Sequence, residues 1–271
     1  MKMSKKSKIM ICCLVLVAAV VVAAVLLLNK PKTDTAQDAL AKIKAKGTLV
    51  IGTEGNWSPW TYHDEQDNLT GFDVEIARLL AKELGVKAEF QEAPWDALLA
   101  GVDSDRFDII CNGVGYTEER AKSYSFTDPY CYSNKVLVVA ADNEEIKTVE
   151  DLKGKKTANS ASSTYAALAE EYGAELVPVD TLGETVDLLV QGRVDATLNS
   201  AVSIADYLAQ HPDAKIKVVQ TLAGDPVAYP VKLGEQTLVD ELNRILAKLR
   251  DEGKLSELSM RFFDVDTTKA E

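Results

Sequence analysis

From Thr48 onward the chain alternates between two apolar rhythms. Short runs rich in β-branched and apolar residues have the length of buried strands: Thr48–Thr53 (TLVIGT), Ala88–Gln91 and Asp108–Cys111. Between them, apolar residues recur at helical spacing. Ile76, Ala77, Leu80 and Leu84 share one face ahead of Gly85, and Leu98 and Leu99 point inward from a helix over Trp95–Val102. Asp73, after Gly71-Phe72, is expected to cap the first of these helices. The alternation resumes after Ser133. Strands are expected over Lys135–Ala140, Thr157–Asn159, Leu176–Val179, Asp195–Leu198, Ile216–Val219 and Ala228–Lys232. Helices are expected over Tyr165–Tyr172, Glu184–Gln191, Ile204–Ala209, Leu238–Leu249 and Leu255–Phe263. Thr148-Val149-Glu150-Asp151 has the form of a capping box. Strands alternating with helices predict an α/β protein with parallel sheets. No linker-like stretch interrupts this body, which argues for two lobes joined by strands over two tethered domains.

The N-terminus has a different pattern. Ile9–Leu28 is an unbroken apolar run behind four lysines, long enough to cross a bilayer. Lysines on that side direct the rest of the chain outward. Ala18-Ala19 and Ala23-Ala24 are both followed by more valine and leucine, which makes a poor cleavage site. An uncleaved signal anchor over residues 1–30 is therefore expected, with a cleaved signal peptide as the alternative. Cys12 and Cys13 stand at the start of the run, whereas a lipid-modified cysteine belongs at its end. Residues 31–45 read as a polar linker.

Charge sharpens this picture. Of 30 basic residues, the six lysines before Thr33 are the only charges there, leaving 24 basic against 42 acidic residues in the rest. So acidic a body does not suit nucleic acid or an anionic membrane surface. His63 and His211 stand alone and no CxxC or HExxH occurs, so neither a metal nor a cofactor is expected. Cys111 and Cys131 either pair or remain two separate buried thiols, the latter being preferred.

The candidate chemistry centres on Phe107–Ser133 (FDIICNGVGYTEERAKSYSFTDPYCYS). Asn112, Gly113 and Gly115 let the backbone turn at a strand end. Thr117 opens a helical turn, and Arg120 follows. A guanidinium beside a glycine-bearing strand end suits a small carboxylate. Locally, a surface arginine paired with glutamate reads the same way. Glu54-Gly55-Asn56 leads into Trp57-Ser58-Pro59-Trp60, whose tryptophans either wall a pocket or pack a loop. Ser160-Ala161-Ser162-Ser163-Thr164 opens a helix, as an anion site or as plain capping. An internal echo joins these pieces. Leu98-Leu99 precedes Asp108 and Asn112, and Leu188-Leu189 precedes Asp195 and Asn199. Each Asn stands at a strand end, where parallel sheets bind ligands.

Together these segments resemble family 3 of the extracellular solute-binding proteins, which deliver polar amino acids to ABC importers. The resemblance is carried by TLVIGTEGNWSPW, LTGFDVEIARLLAKELG, the Phe107–Ser133 stretch, VEDLKGKK, LLVQGRVDATLN and LAKLRDEGKLSELSMRFF, and spans roughly Lys46–Phe263. It implies a bilobal α/β periplasmic-binding-protein fold of type II, the Venus flytrap. Lobe 1 would occupy 46–134, lobe 2 135–228, a return to lobe 1 229–266 and a tail 267–271. The same resemblance implies that Arg120 grips a ligand α-carboxylate and that Asn112, Gly113 and Gly115 bind the same ligand. Trp57 would stack on it, Trp60 would form a second wall, and Glu54 would take an amino group. Ser160, Ser163, Thr164 and Asn199 would contribute from lobe 2. Many members place an acid just after the position of Asn199 to hold the α-ammonium. Here that residue is Ser200, so the charge must be borrowed, with Glu54 the obvious lender. The wording GTEG and DATLN looks most like the cystine-type branch.

The resemblance thus implies a monomeric binding component outside the cytoplasm, with an amino acid such as cystine as ligand and an ABC permease as partner. A sensor ectodomain is the alternative. A dehydratase of prephenate-like acids is a further one, with Glu54 and Asp225 as acids but no poised base, nucleophile or metal cluster.

Overall fold

The structure, a computed structural model, describes residues 38–269, so the anchor expected over residues 1–30 lies outside the described residues. Among the described residues no helix is long and apolar enough to cross a membrane. The chain opens with α1 (Ala39–Lys46), β1 (Thr48–Thr53), β2 (Asn56–Trp57), β3 (Thr61–His63), β4 (Leu69–Thr70), α2 (Phe72–Leu84), β5 (Lys87–Glu92), α3 (Trp95–Asp103) and β6 (Ile109–Ile110). It continues through β7 (Tyr124–Phe126), β8 (Cys131–Ala140), β9 (Lys156–Asn159), α4 (Thr164–Glu171), β10 (Glu175–Pro178), α5 (Leu182–Val190), β11 (Ala196–Ser200), α6 (Ala201–Gln210) and β12 (Ile216–Val227). It closes with β13 (Pro230–Lys232), α7 (Gln236–Asp251) and α8 (Lys254–Phe263).

The first sheet orders β5-β1-β6, all parallel, with Thr48 opposite Lys87 and Ile51 opposite Ile109. Helix α2 covers it with the expected face, burying Ile76, Ala77, Leu80 and Leu84, and Gly85 ends the helix in the left-handed region at φ 75°. Leu238, Leu242, Ile245 and Leu246 of α7 and Leu255 of α8 complete that core. Chain-terminal helices therefore return to the first sheet, brought there by β13, which pairs with β7.

The second sheet orders β10-β9-β11-β8-β12 and corrects the expectation of parallel strands throughout. β8 runs antiparallel to both β11 and β12. The reason lies in where its two ends are buried. Cys131 of β8 and Val227 of β12 pair with each other and sit in the core of the first sheet, whereas Val136, Val138 and Ile216 sit in a core of the second. The two strands carry the chain between cores in opposite directions, so they must pair antiparallel. β12 also runs eight residues past the expected Val219. Gln220–Pro226 has no apolar rhythm to announce a strand, but its backbone pairs along β8.

Two further corrections concern helix starts. Part of the supposed linker 31–45 is helical. Asp38 accepts from Ala41 N at 2.8 Å, Gly47 closes the turn at φ 70°, and Ile43 is fully buried. Asp73 does not cap α2; Gly71 occupies that position with no side-chain bond. Asp73 instead points into the core, where its Oδ1 accepts from Tyr130 Oη at 2.6 Å and Tyr229 Oη at 3.1 Å. Its Oδ2 accepts from Gly113 N. Burial pushes this carboxyl up to about 6 against the lowering effect of those donors. Cys111 and Cys131 are both free, buried thiols.

The internal echo has a structural basis. Asp108 Oδ2 accepts from Val50 N at 2.7 Å, and Asp195 Oδ2 accepts from Lys156 N at 2.7 Å. In each sheet the aspartate satisfies an amide of a neighbouring strand.

Candidate functional site

Between the two sheets lies a cleft with about 820 Å³ of non-protein space, part of it open to solvent. Of the residues singled out in the sequence, Glu54, Trp57, Trp60, Gly113, Gly115, Arg120, Ser160, Ser163, Thr164 and Asn199 line it. Asn112 and Ser200 do not. Asn112 is fully buried and works from behind: its Oδ1 accepts from Glu54 N at 2.7 Å, and its Nδ2 donates to Glu54 Oε2 at 2.6 Å. Ser200 is also fully buried, with its Oγ 2.9 Å from Ser133 Oγ.

Glu54 is thus held at the mouth of β1 by a buried amide. Burial raises its pKa to about 7, with the Asn112 bond acting the other way and Asp96 and Asp180 adding repulsion. The aromatic wall is a pair. Trp57 and Trp60 stack at 5.4 Å between centroids, 13° from parallel. Trp60 is nearly all core, edge-on to Phe72 and tilted against Phe263, so its wall role is built on a packed base. Gly113 is required beneath them. Its φ is +57°, and a Cβ there would come 2.7 Å from the Trp57 ring and 3.1 Å from Trp60.

Arg120 follows the turn that the sequence indicated, with its amide bonded to Thr117 Oγ1 at 3.1 Å. Its guanidinium is half-buried. Nη1 donates to Gly115 O at 2.8 Å, and Nη2 donates across the cleft to Ser162 O at 2.9 Å. The group lies 5.3 Å above the Trp95 ring. Among the described residues it has no carboxylate within 4.0 Å. Burial lowers its pKa and the charge of Asp225 raises it. Ser162 is fixed from the other side as well, since its N and Oγ both donate to Asp96 Oδ1, at 3.0 and 2.5 Å. On the opposing wall, Ser163 caps α4 by accepting from Ala166 N at 3.1 Å.

Sequence reasoning missed Trp95, Lys135 and Tyr165, and it named Asp225 only as a possible catalytic acid; all four line the cleft. Trp95 opens a helix after a strand, a usual place for site residues, and carried that much signal. Lys135 and Tyr165 looked like ordinary strand and helix residues.

Comparison with known proteins identifies the family. The family model for bacterial extracellular solute-binding proteins, family 3, matches residues 49–265. A probable amino-acid ABC transporter-binding protein of Haemophilus influenzae is 42% identical over 84% of this chain and 89% of its own. The L-cystine-binding protein TcyA of Bacillus subtilis is 39% identical over 86% of this chain and 87% of its own. Among solved structures, an ancestral arginine-binding protein bound to arginine matches with a TM-score of 0.75 at 33% identity, over 80% of this chain and 98% of that one. The L-cystine solute receptor of Neisseria gonorrhoeae, in its unliganded open conformation, matches with a TM-score of 0.57 at 39% identity, over 86% and 99%. The Arg120 and Asp96 bonds to Ser162 span the cleft. This chain has the α/β periplasmic-binding-protein fold, with an extracytoplasmic body, and belongs to family 3 of the bacterial extracellular solute-binding proteins.

Proposed function

We propose that this protein captures a free amino acid in the cleft and hands it to an ABC permease. The observation that most supports this is Arg120: a half-buried guanidinium facing the cleft with no carboxylate partner among the described residues. A ligand carboxylate completes its fork of donors. Trp57 and Trp60 then wall the apolar part of the ligand, Glu54 faces a ligand amino group, and Ser160, Thr164 and the N-terminus of α4 close from the other side. Cystine is the favoured ligand, since relatives at 39% and 32% identity are cystine-binding proteins. In this reading lobe 1 is 46–134 with its return at 229–266, lobe 2 is 135–228, and β8 and β12 are the hinge. The protein works as a monomer, tethered to the membrane by residues 1–30.

Titration calorimetry with cystine, arginine, glutamine and histidine tests the reading. A ligand at a thousand times its Kd should also raise stability by about 4 kcal/mol. Failure of every amino acid to bind would overturn it. A dehydratase reading draws on one observation, the elevated Glu54, and on a structural neighbour described as an ancestral amino acid-binding precursor of cyclohexadienyl dehydratase. Turnover of prephenate-like acids is the assay that would favour it.

A further inference from the structure

An amino acid carries its carboxylate and its α-ammonium on one carbon. Whatever holds the ammonium must therefore stand beside the group that holds the carboxylate. If Arg120 takes the carboxylate, the acid for the ammonium belongs next to Arg120 and Gly115. Ser200, at the end of β11, is turned inward onto Ser133. Glu54 is the nearest substitute by sequence, but it is tied to Asn112 at the end of β1.

Asp225 meets the geometric requirement. Arg120 Nη1 bonds Gly115 O, and Asp225 Oδ2 lies 3.3 Å from where a Cβ of Gly115 would stand. The two segments are locked together, since Tyr116 N donates to Pro226 O at 2.8 Å and Gly115 bridges Val227. The glycine at 115 keeps the face of the carboxylate open. A second glycine aims it. Between Leu222 and Asp225 the register of β12 against β8 shifts, and a Cβ at Gly224 would come 2.0 Å from Ser133 O, so this irregularity admits only glycine. Lys135 Nζ holds Oδ1 at 2.8 Å, while Oδ2 has no hydrogen-bond partner among the described residues. The carboxylate is therefore oriented by one oxygen and presents the other to the cleft.

We propose that Asp225 holds the ligand α-ammonium and that Glu54 serves a more distant group. This rests on the amino-acid reading above. It makes the hinge strand β12 part of the recognition site, so ligand charge acts directly on the segment that joins the two cores.

Calorimetry on the full chain tests it with pairs of probes that differ only in α-amino groups: L-glutamine against glutaramate and L-arginine against guanidinovalerate, which lack one, and L-cystine against dithiodipropionate, which lacks both. Wild type is expected to prefer the amino acid in the pair it binds best. Asp225→Asn should weaken that amino acid at least about 30-fold and its counterpart by less than about threefold, so the preference collapses. Because Asp225→Asn leaves Lys135 unpaired, the double variant Asp225→Asn/Lys135→Met is measured beside it and should show the same collapse. Glu54→Gln should keep the preference for glutamine and arginine over their counterparts. Retained preference in either Asp225 variant, or its loss in Glu54→Gln, overturns the assignment while leaving the amino-acid function standing. Binding of none of the probes by wild type overturns that function and this inference with it.

Discussion

Asp108 and Asp195 do one job twice: each accepts an amide of a neighbouring strand at 2.7 Å, in the first and second sheets respectively. Four residues later the two halves part. Asn112 turns back to hold Glu54, while Asn199 lines the cleft and accepts from Ser200 N at 2.8 Å. The first half thus offers the cleft a charged, aromatic wall of Glu54, Trp57 and Arg120. The second offers hydroxyls and a helix end at Ser160–Thr164. The repeated aspartates serve the backbone, which any sheet of this design needs. The cleft lining begins just beyond them, and there the halves differ.

The largest break in this comparison should come from Arg120→Ala. Removing the guanidinium leaves a ligand carboxylate unpaired in the cleft, at a cost of roughly 2–5 kcal/mol of binding in calorimetry. Undiminished affinity would remove Arg120 from the charged wall. Gly113→Ala should follow. A side chain at φ +57°, 2.7 Å from Trp57, is expected to cost about 1–3 kcal/mol in urea denaturation, and to weaken binding by displacing the tryptophan pair.

Glu54 gives a pH test. Burial sets its folded value near 7, above the ordinary 4.5. Between those values the folded state keeps a proton that the unfolded chain has lost, so ligand-free stability falls as pH rises through that window. A ligand amino group near Glu54 favours the ionised form. Affinity for such a ligand should then rise with pH up to about 7, by at most about tenfold per unit. Glu54→Gln should flatten the affinity trend and leave, in the stability trend, the fall below about pH 6 that buried Asp73 contributes. The smallest effect is expected on the opposite wall, where Ser163→Ala removes the cap of α4 and should cost about 1 kcal/mol in the same denaturation assay. A binding loss there as large as that of Arg120→Ala would erase the contrast between the walls.

Much of the fold is legible in the residues. The apolar face of α2, the strand TLVIGT and the capping box at Thr148–Asp151 form where periodicity and propensity place them. The Thr117–Arg120 turn and the Ser163 cap are local too, each closed within a few residues. Elsewhere local rules pointed the wrong way. Asp73 stands where a cap is expected, yet Tyr130 and Tyr229 give it stronger partners from 57 and 156 residues away. Asn112 and Ser200 sit in the right motifs but face inward, and α1 hides in a segment too polar to announce it.

The sequence by itself therefore determined most of the longer strands and helices and the turn that carries Arg120, because these follow from residue type and from spacing within one turn or strand. Only the tertiary structure decided which polar side chain faces the cleft and which supports it from behind. That choice depends on the donors and acceptors that distant strands bring near. Asp225 reaches the cleft because β12 bulges against β8 at Gly224 and pairs beside Gly115, an arrangement no local pattern encodes.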